Sequence, residues 1–185
     1  MEPFSTVAQE LLDEITGMLS MVDPGTYTSL VNNLLSARNV VVAGDGRGRY
    51  VMGTFARRLG QMGRMVSLEG ESAERPPGRG DLLLVASRTG ERGALTGLAE
   101  SARKEGARVC AFVAEISSLL ASHADYVVAI APQTRTPFES IGGAGDAGLL
   151  AFDEALMIYL DAVLLALQKL LPPDRRSFDE GTRGA

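Results

Sequence analysis

The sequence contains few of the residues that build disulfides and transition-metal sites. Its 185 residues include one cysteine, Cys110, one histidine, His123, and no tryptophan. One cysteine cannot form a disulfide within the chain, and with a single histidine it cannot supply a zinc site made of Cys and His ligands. Cys110 lies in an apolar run, so we predict a small buried side chain at that position. For His123 we expect a structural role.

The sequence also lacks an excess of positive charge. Lys and Arg number 18 and Asp and Glu number 23, which gives a net charge of −5 at pH 7. An acidic chain lacks the basic surface by which proteins bind nucleic acid, so we expect no nucleic-acid partner. The first residues lack the basic and apolar segments of a secretory signal, which predicts a cytoplasmic protein.

Short apolar runs alternate with helical patterns from residue 39 onwards. Hydrophobic residues make up 45% of the chain and charged residues 22%, as is typical of a globular domain. Strands are predicted at 40–43, 65–68, 82–86, 108–113 and 126–131. The alternation predicts the α/β class: a single flavodoxin-like, doubly wound parallel sheet of five strands in the order 2-1-3-4-5, with helices on both faces.

This pattern divides the chain into three parts. Residues 1–38 form an N-terminal helical extension, a pair of helices in which Asp23 caps the second helix ahead of Pro24. Residues 39–171 form the α/β domain, which ends in a long helix from about 149 to 171. Residues 172–185 form a polar tail.

The long C-terminal helix is apolar on almost every face. Its acids Asp153, Glu154 and Asp161 argue against a membrane span, because each would cost about 2.5–3.5 kcal/mol at the centre of a bilayer. A helix that is apolar all round is otherwise a buried one, so we predict no membrane partner. Burial on all sides in so small a chain indicates a subunit interface, so we predict an oligomer.

A glycine-rich loop, here called the glycine loop, joins the first strand to the next helix over Gly44–Gly48. Glycines let backbone N–H groups come close to an anion, and the start of a helix favours negative charge. Arg47 and Arg49 lie in the same turn. The structural alternative is a tight turn whose arginines face solvent.

A second loop, the serine loop, follows the third strand over Ser87–Gly90. Its two hydroxyls and its glycine ahead of a helix suit a phosphate, although Ser and Thr are also ordinary helix caps. In the order 2-1-3-4-5 the first and third strands are neighbours at the switch point, where ligands bind beyond the carboxyl ends. Two such loops at one crevice predict a small phosphorylated ligand.

A dinucleotide is the alternative ligand for the glycine loop. Gly44 and Gly46 match the first two glycines of that fingerprint, and Glu69 follows the second strand where an acid would bind the ribose. The third glycine is replaced by Arg49, so the match is partial.

These motifs together resemble the sugar isomerase (SIS) domain family, and in particular its 6-phospho-3-hexuloisomerase branch. The segments that carry the resemblance are 42–47, 55–63, 87–91, 118–125, 152–154 and 160–163. It extends from the N-terminal helices to residue 171.

The resemblance implies a phosphosugar ligand, a homodimer or homotetramer, and aldose–ketose isomerisation without a metal or organic cofactor. Matched onto this chain, Ser87 and Thr89 take phosphate-binding hydroxyl positions, Arg47 takes the family's arginine, and Asp153 falls at a catalytic glutamate. Glu154, about 100° further around the helix, is the second candidate base. The predicted phosphate-binding residues are Gly44, Gly46, Arg47, Gly48, Arg49, Ser87, Arg88 and Thr89.

The chain departs from the family's pattern at several positions. Arg88 stands where a glycine is usual, Asp45 where a small apolar residue is usual, and Gln61 where a histidine is usual. Glutamine cannot exchange a proton near neutral pH, so these changes predict weak or redirected isomerase activity. The alternative is a catalytically impaired phosphosugar-binding or sensor protein.

Overall fold

The computed structural model describes residues 3–69, 76–131 and 147–171, with the side chains of the last segment described from Ala151 onwards. The predicted polar tail lies outside these residues. The elements in chain order are α1 Phe4–Ser20, α2 Pro24–Ser36, β1 Val40–Gly44, α3 Gly48–Gln61, β2 Val66–Leu68, β3 Leu82–Ala86, α4 Gly93–Lys104, β4 Arg108–Val113, α5 Leu119–Ser122, β5 Tyr126–Ala129 and α6 Ala147–Leu170.

The five strands form one parallel sheet in the order β2-β1-β3-β4-β5, which confirms the predicted α/β fold. The central strands are buried on both faces, as their unbroken apolar sequences require. One face packs against α1, α2, α3 and α6, and the other packs against α4 and α5. Cys110 is fully buried in the first of these two cores, as predicted.

The N-terminal helices belong to the same core as the sheet. The Asp23 side chain accepts a hydrogen bond from the backbone N–H of Gly25 at 3.0 Å, which confirms the predicted cap of α2. Ile15 and Met18 of α1 and Leu30 of α2 are buried in the core that contains β1 and α6. Residues 3–38 therefore help to hold α6 against the sheet.

Most of the apolar surface of α6 is covered within this one chain. Leu156, Val163 and Leu164 are buried, and α1, α2 and α3 pack against the helix. The apolar character of α6 therefore does not by itself require a second subunit, which corrects the reasoning from the sequence. Met157 and Leu165 are among the apolar side chains that α6 leaves exposed. No described helix combines the length and the apolar character needed to cross a membrane.

The serine loop depends on a glycine that no other residue can replace without strain. Gly90 has a φ of +67°, and a Cβ built on it would lie 2.2 Å from the Oγ of Ser118. We expect Gly90→Ala to lower the free energy of unfolding by about 2–4 kcal/mol, from the left-handed backbone and the clash together.

The matched control for this substitution is Gly93→Ala at the start of α4. No atom lies within 4 Å of a Cβ there, so this change should be neutral or raise stability by about 0.4–1 kcal/mol. Urea denaturation measures both variants. Equal effects of the two substitutions would show that Gly90 does not constrain the serine loop.

Candidate functional site

The glycine loop and the serine loop meet at one edge of the sheet. Gly44, the last residue of β1, pairs in register with Ala86, the last residue of β3. The backbone N–H of Asp45 donates to the carbonyl of Ala86 at 3.2 Å, so the chain stays paired for one residue beyond the strand. The two loops therefore leave the sheet side by side, as the predicted strand order requires.

A cavity of about 200 Å³ lies between these loops and α6. It is lined by Asp45, Gly46, Arg47, Gly48, Arg88, Thr89, Arg92, Phe152 and Asp153. Six of the ten residues predicted from the sequence, five of the eight binding residues and one of the two acids, are in this lining. The others, Gly44, Arg49, Ser87 and Glu154, are not.

The start of α3 comes very close to α6. A Cβ built on Gly48 would lie 3.4 Å from the Oδ1 of Asp153. Gly46 has a φ of +50°, which turns the chain into the helix. The N–H groups of Arg49, Tyr50 and Val51 donate to the backbone carbonyls of Asp45 and Arg47. The N–H of Gly48, at the very start of the helix, has no partner among the described residues and is the helix donor nearest to Asp153 and the cavity.

Asp153 is the buried acid of the cavity, with 5% of its surface exposed. Burial raises the pKa of its carboxyl from 3.8 to about 6, and the positive charges of Arg47 and Arg88 oppose that rise. The Nε of Arg47 lies 4.0 Å from its Oδ2. Asp153 is therefore largely ionised at neutral pH, but its carboxylate binds a proton more tightly than that of an ordinary aspartate.

Glu154 is turned away from the cavity. Its Oε1 accepts a hydrogen bond from the Nη2 of Arg47 at 3.1 Å, and a third of its side chain is exposed. Arg47 thus lies close to both Asp153, which lines the cavity, and Glu154, which does not. The rotation of about 100° between neighbouring helical residues accounts for this difference.

The two hydroxyls of the serine loop have different surroundings. Ser87 is 1% exposed, and its Oγ donates to the Oδ2 of Asp45 at 3.0 Å while accepting from the N–H of Gly90 at 3.2 Å. Thr89 is exposed and lines the cavity. The predicted pair of phosphate-binding hydroxyls is therefore split, with Ser87 bonded inside the protein and Thr89 open to a ligand.

Two more arginines line the cavity, one within the serine loop and one just after it. The Nε of Arg88 is buried and has no hydrogen-bond partner within the described ranges. Arg92 lies just before α4, and its Nε is 3.7 Å from the Oδ2 of Asp45. Arg92 was not predicted from the sequence, where its only signal is its position two residues after the serine loop. Three arginines and two carboxylates therefore line the cavity, a balance that favours an anion.

Two residues that were singled out in the sequence lie outside this cavity. Arg49 is exposed on α3 outside the cavity lining. Gln61 is at the far end of α3, about 20 Å along the helix from Gly48 at 1.5 Å per residue, and lines a second cavity with Asp161. Across residues 3–69, 76–131 and 147–171, no three His, Cys, Asp or Glu side chains cluster in a way that could hold a metal ion.

Known proteins share both the sequence and the fold. The chain is 36% identical over 155 residues to 3-hexulose-6-phosphate isomerase of Mycobacterium gastri, an alignment that covers 84% of this chain and 77% of that protein. It is 26% identical to the enzyme of the same name from Bacillus subtilis, with 86% of each chain covered. No protein-family model matches the chain.

Solved structures share the architecture at lower identity. A crystal structure of a hypothetical protein superposes with a TM-score of 0.78 at 26% identity, covering 89% of each chain. The Vibrio vulnificus NanR protein, complexed with ManNAc-6P, superposes with a TM-score of 0.75 at 19% identity, covering 96% of this chain and 66% of that one.

The sheet order, the paired loops and these relatives define a sugar isomerase (SIS) domain. Within that class the chain belongs to the family of the 3-hexulose-6-phosphate isomerases. The resemblance that the sequence motifs indicated is confirmed.

The raised pKa of Asp153 has a consequence for stability. Between pH 4 and 6 the folded state keeps a proton that the unfolded state releases, so the contribution of Asp153 to stability falls as pH rises. Above pH 6 the folded state bears the full cost of a buried carboxylate. We expect Asp153→Asn to gain stability relative to the wild type as pH rises from 4 to 8, by about 1–3 kcal/mol.

Urea denaturation at a series of pH values measures this gain. Glu154→Gln is the control, since that side chain is partly exposed and paired with Arg47, and it should show no comparable gain. A stability difference for Asp153→Asn that is flat from pH 4 to 8 would contradict the raised pKa.

Proposed function

We propose that this chain is an isomerase that interconverts a 3-hexulose 6-phosphate and its 2-keto isomer. The observation that carries the proposal is the buried carboxyl of Asp153, which shares a small cavity with the glycine loop and the unpartnered Nε of Arg88. Membership of a family whose named members include 3-hexulose-6-phosphate isomerases supports the substrate class. The shift moves a ketone from C3 to C2, the same chemistry as an aldose–ketose shift one carbon along.

The phosphate group is assigned to the loop side of the cavity. Arg88 offers a buried N–H without a partner in the described part of the chain, and Thr89 offers an exposed hydroxyl. Gly46, Arg47 and Gly48 add the backbone of a helix start, which attracts an anion. Charge-assisted hydrogen bonds of this kind are stronger than neutral ones, so Arg88 is the main determinant of phosphate affinity.

Asp153 is assigned the role of general base. Its ionised carboxylate removes the proton from C2, which lies beside the C3 carbonyl, and the electrons form a C2–C3 enediolate. The proton then returns to C3 as the carbonyl forms at C2, with proton exchange between the two oxygens. A pKa of about 6 suits both the removal and the return of the proton, because the Asp153 carboxyl is ionised at neutral pH and still binds a proton well.

Arg47 is assigned to the negative charge that develops on the substrate oxygens. It lines the cavity, and its Nε lies 4.0 Å from Asp153. A fixed cation beside the base stabilises an enediolate without having to reorganise. The hydrogen bond to Glu154 holds the guanidinium in this position.

The second candidate function is phosphosugar binding without turnover. The similarity to the NanR protein, which is complexed with ManNAc-6P, favours this candidate.

We also propose a homo-oligomer, supported by the apolar side chains Met157, Ile158 and Leu165, which α6 leaves exposed.

An assay of 3-hexulose 6-phosphate turnover tests the base. We expect Asp153→Asn to lower kcat by about 10²–10⁴-fold, the usual contribution of a general base. In the wild type kcat/KM should rise with pH to a plateau above about pH 6, as the carboxyl ionises.

Asp161→Asn is the matched control for this assay. It removes an exposed acid of the same helix that lies outside this cavity lining, so its effect should be much smaller than that of Asp153→Asn. Full turnover by Asp153→Asn would exclude Asp153 as the base. Tight binding without turnover by the wild type would favour the second candidate function.

Calorimetry with fructose 6-phosphate tests the phosphate site separately. We expect Arg88→Gln to weaken binding by about 1.5–3 kcal/mol, the value of a hydrogen bond to a charged group. Arg49→Gln removes the same charge outside the cavity and should leave affinity nearly unchanged. If the two variants weaken binding equally, Arg88 acts only through overall charge.

A further inference from the structure

The carboxylate of Asp45 is the least expected group in a phosphate site. Asp45 lies within the glycine loop and lines the cavity beside Arg88 and Thr89. A negative charge there repels the dianion of any phosphate ester, since two like charges a few ångströms apart oppose one another even at a protein surface. Asp45 therefore lowers the affinity for phosphate unless its carboxylate also makes a favourable contact with another part of the ligand.

The contacts of Asp45 hold its carboxylate firmly. Its Oδ2 accepts the hydrogen bond from Ser87 and lies 3.7 Å from the Nε of Arg92. These partners belong to the serine loop region, so Asp45 ties the glycine loop to the neighbouring loop. Its side chain remains 24% exposed.

The second oxygen of the same carboxylate, Oδ1, has no hydrogen-bond partner within the part of the chain that the structure describes. A carboxylate oxygen can only accept hydrogen bonds, and a sugar carries several hydroxyl donors. The dianion of a phosphate monoester without hydroxyls, such as methyl phosphate, has no donor to offer.

We propose that Asp45 is a specificity-determining residue, which selects hydroxyl-bearing phosphate esters against phosphate groups that lack a sugar. It rests on the proposed function, because it assumes a phosphosugar in this cavity. Ser87 and Arg92 fix one oxygen of Asp45, and the other oxygen accepts a ligand hydroxyl. The charge weakens the binding of every phosphate, and a hydroxyl bond restores affinity only for ligands that can donate it.

Calorimetry with two phosphate monoesters of equal charge tests this proposal. Fructose 6-phosphate carries hydroxyls and methyl phosphate carries none. For Asp45→Asn we expect methyl phosphate to bind about 3–10-fold more tightly, because the repulsion is gone. The affinity for fructose 6-phosphate should increase by less than this, or decrease. The affinity for fructose 6-phosphate divided by that for methyl phosphate should therefore fall by about tenfold.

Two further variants keep the test decisive. Glu105→Gln removes one negative charge from the surface at the end of α4 and should leave the ratio unchanged. Asp45→Ser removes the same charge as Asp45→Asn and should lower the ratio too, in case the asparagine variant does not fold. An unchanged ratio in a folded Asp45 variant overturns the proposal.

The outcome separates this proposal from the proposed function. If the wild type turns over 3-hexulose 6-phosphate but the Asp45 variants leave the affinity ratio of the two ligands unchanged, only the proposed role of Asp45 is wrong. The proposed isomerase function then still stands. A wild type that binds neither ligand overturns both.

Discussion

The register between β1 and β3 is the constraint on which the site depends. Gly44 and Ala86 end their strands at the same level, so both loops leave the sheet together. A slip of this register would separate Asp45 from Ser87 and Arg92, and the cavity would lose its lining. The buried apolar residues on both faces of the two strands prevent that slip, because a shifted strand would change the packing on both sides of the sheet at once.

The site also carries a cost that the rest of the fold offsets. Asp153 is buried beside the cavity, and its raised pKa reflects the cost of holding a charge there. Arg47 and Arg88 reduce this penalty without removing it. A buried acid with a displaced pKa, beside a cavity, is the usual condition of a group that exchanges protons.

Much of the fold and part of the site could be predicted from the sequence. The strands were visible because buried parallel strands are continuous apolar runs, and the strand order followed from their number. The glycine loop was predicted from its own glycines and arginines, whereas Asp153 came from the resemblance to a family. The bond between Asp45 and Ser87 could not be predicted, because it joins residues 42 positions apart and depends on side-chain rotamers. Arg92 was missed for a similar reason, since sequence gives no direction to an exposed side chain.

The N-terminal helices help to hold α6, the helix that carries Asp153. Asp153 is placed by α6, and α6 is held against the sheet by α1, α2 and α3. The hydroxyl of Tyr27 in α2 donates to the carbonyl of Ala162 at 3.2 Å, and the Tyr27 ring contacts that of Tyr159 edge to face. A small displacement of α6 would move Asp153 relative to the glycine loop, and proton transfer is sensitive to errors of about 1 Å. The helical pair therefore helps to position Asp153, although none of its residues lines the cavity.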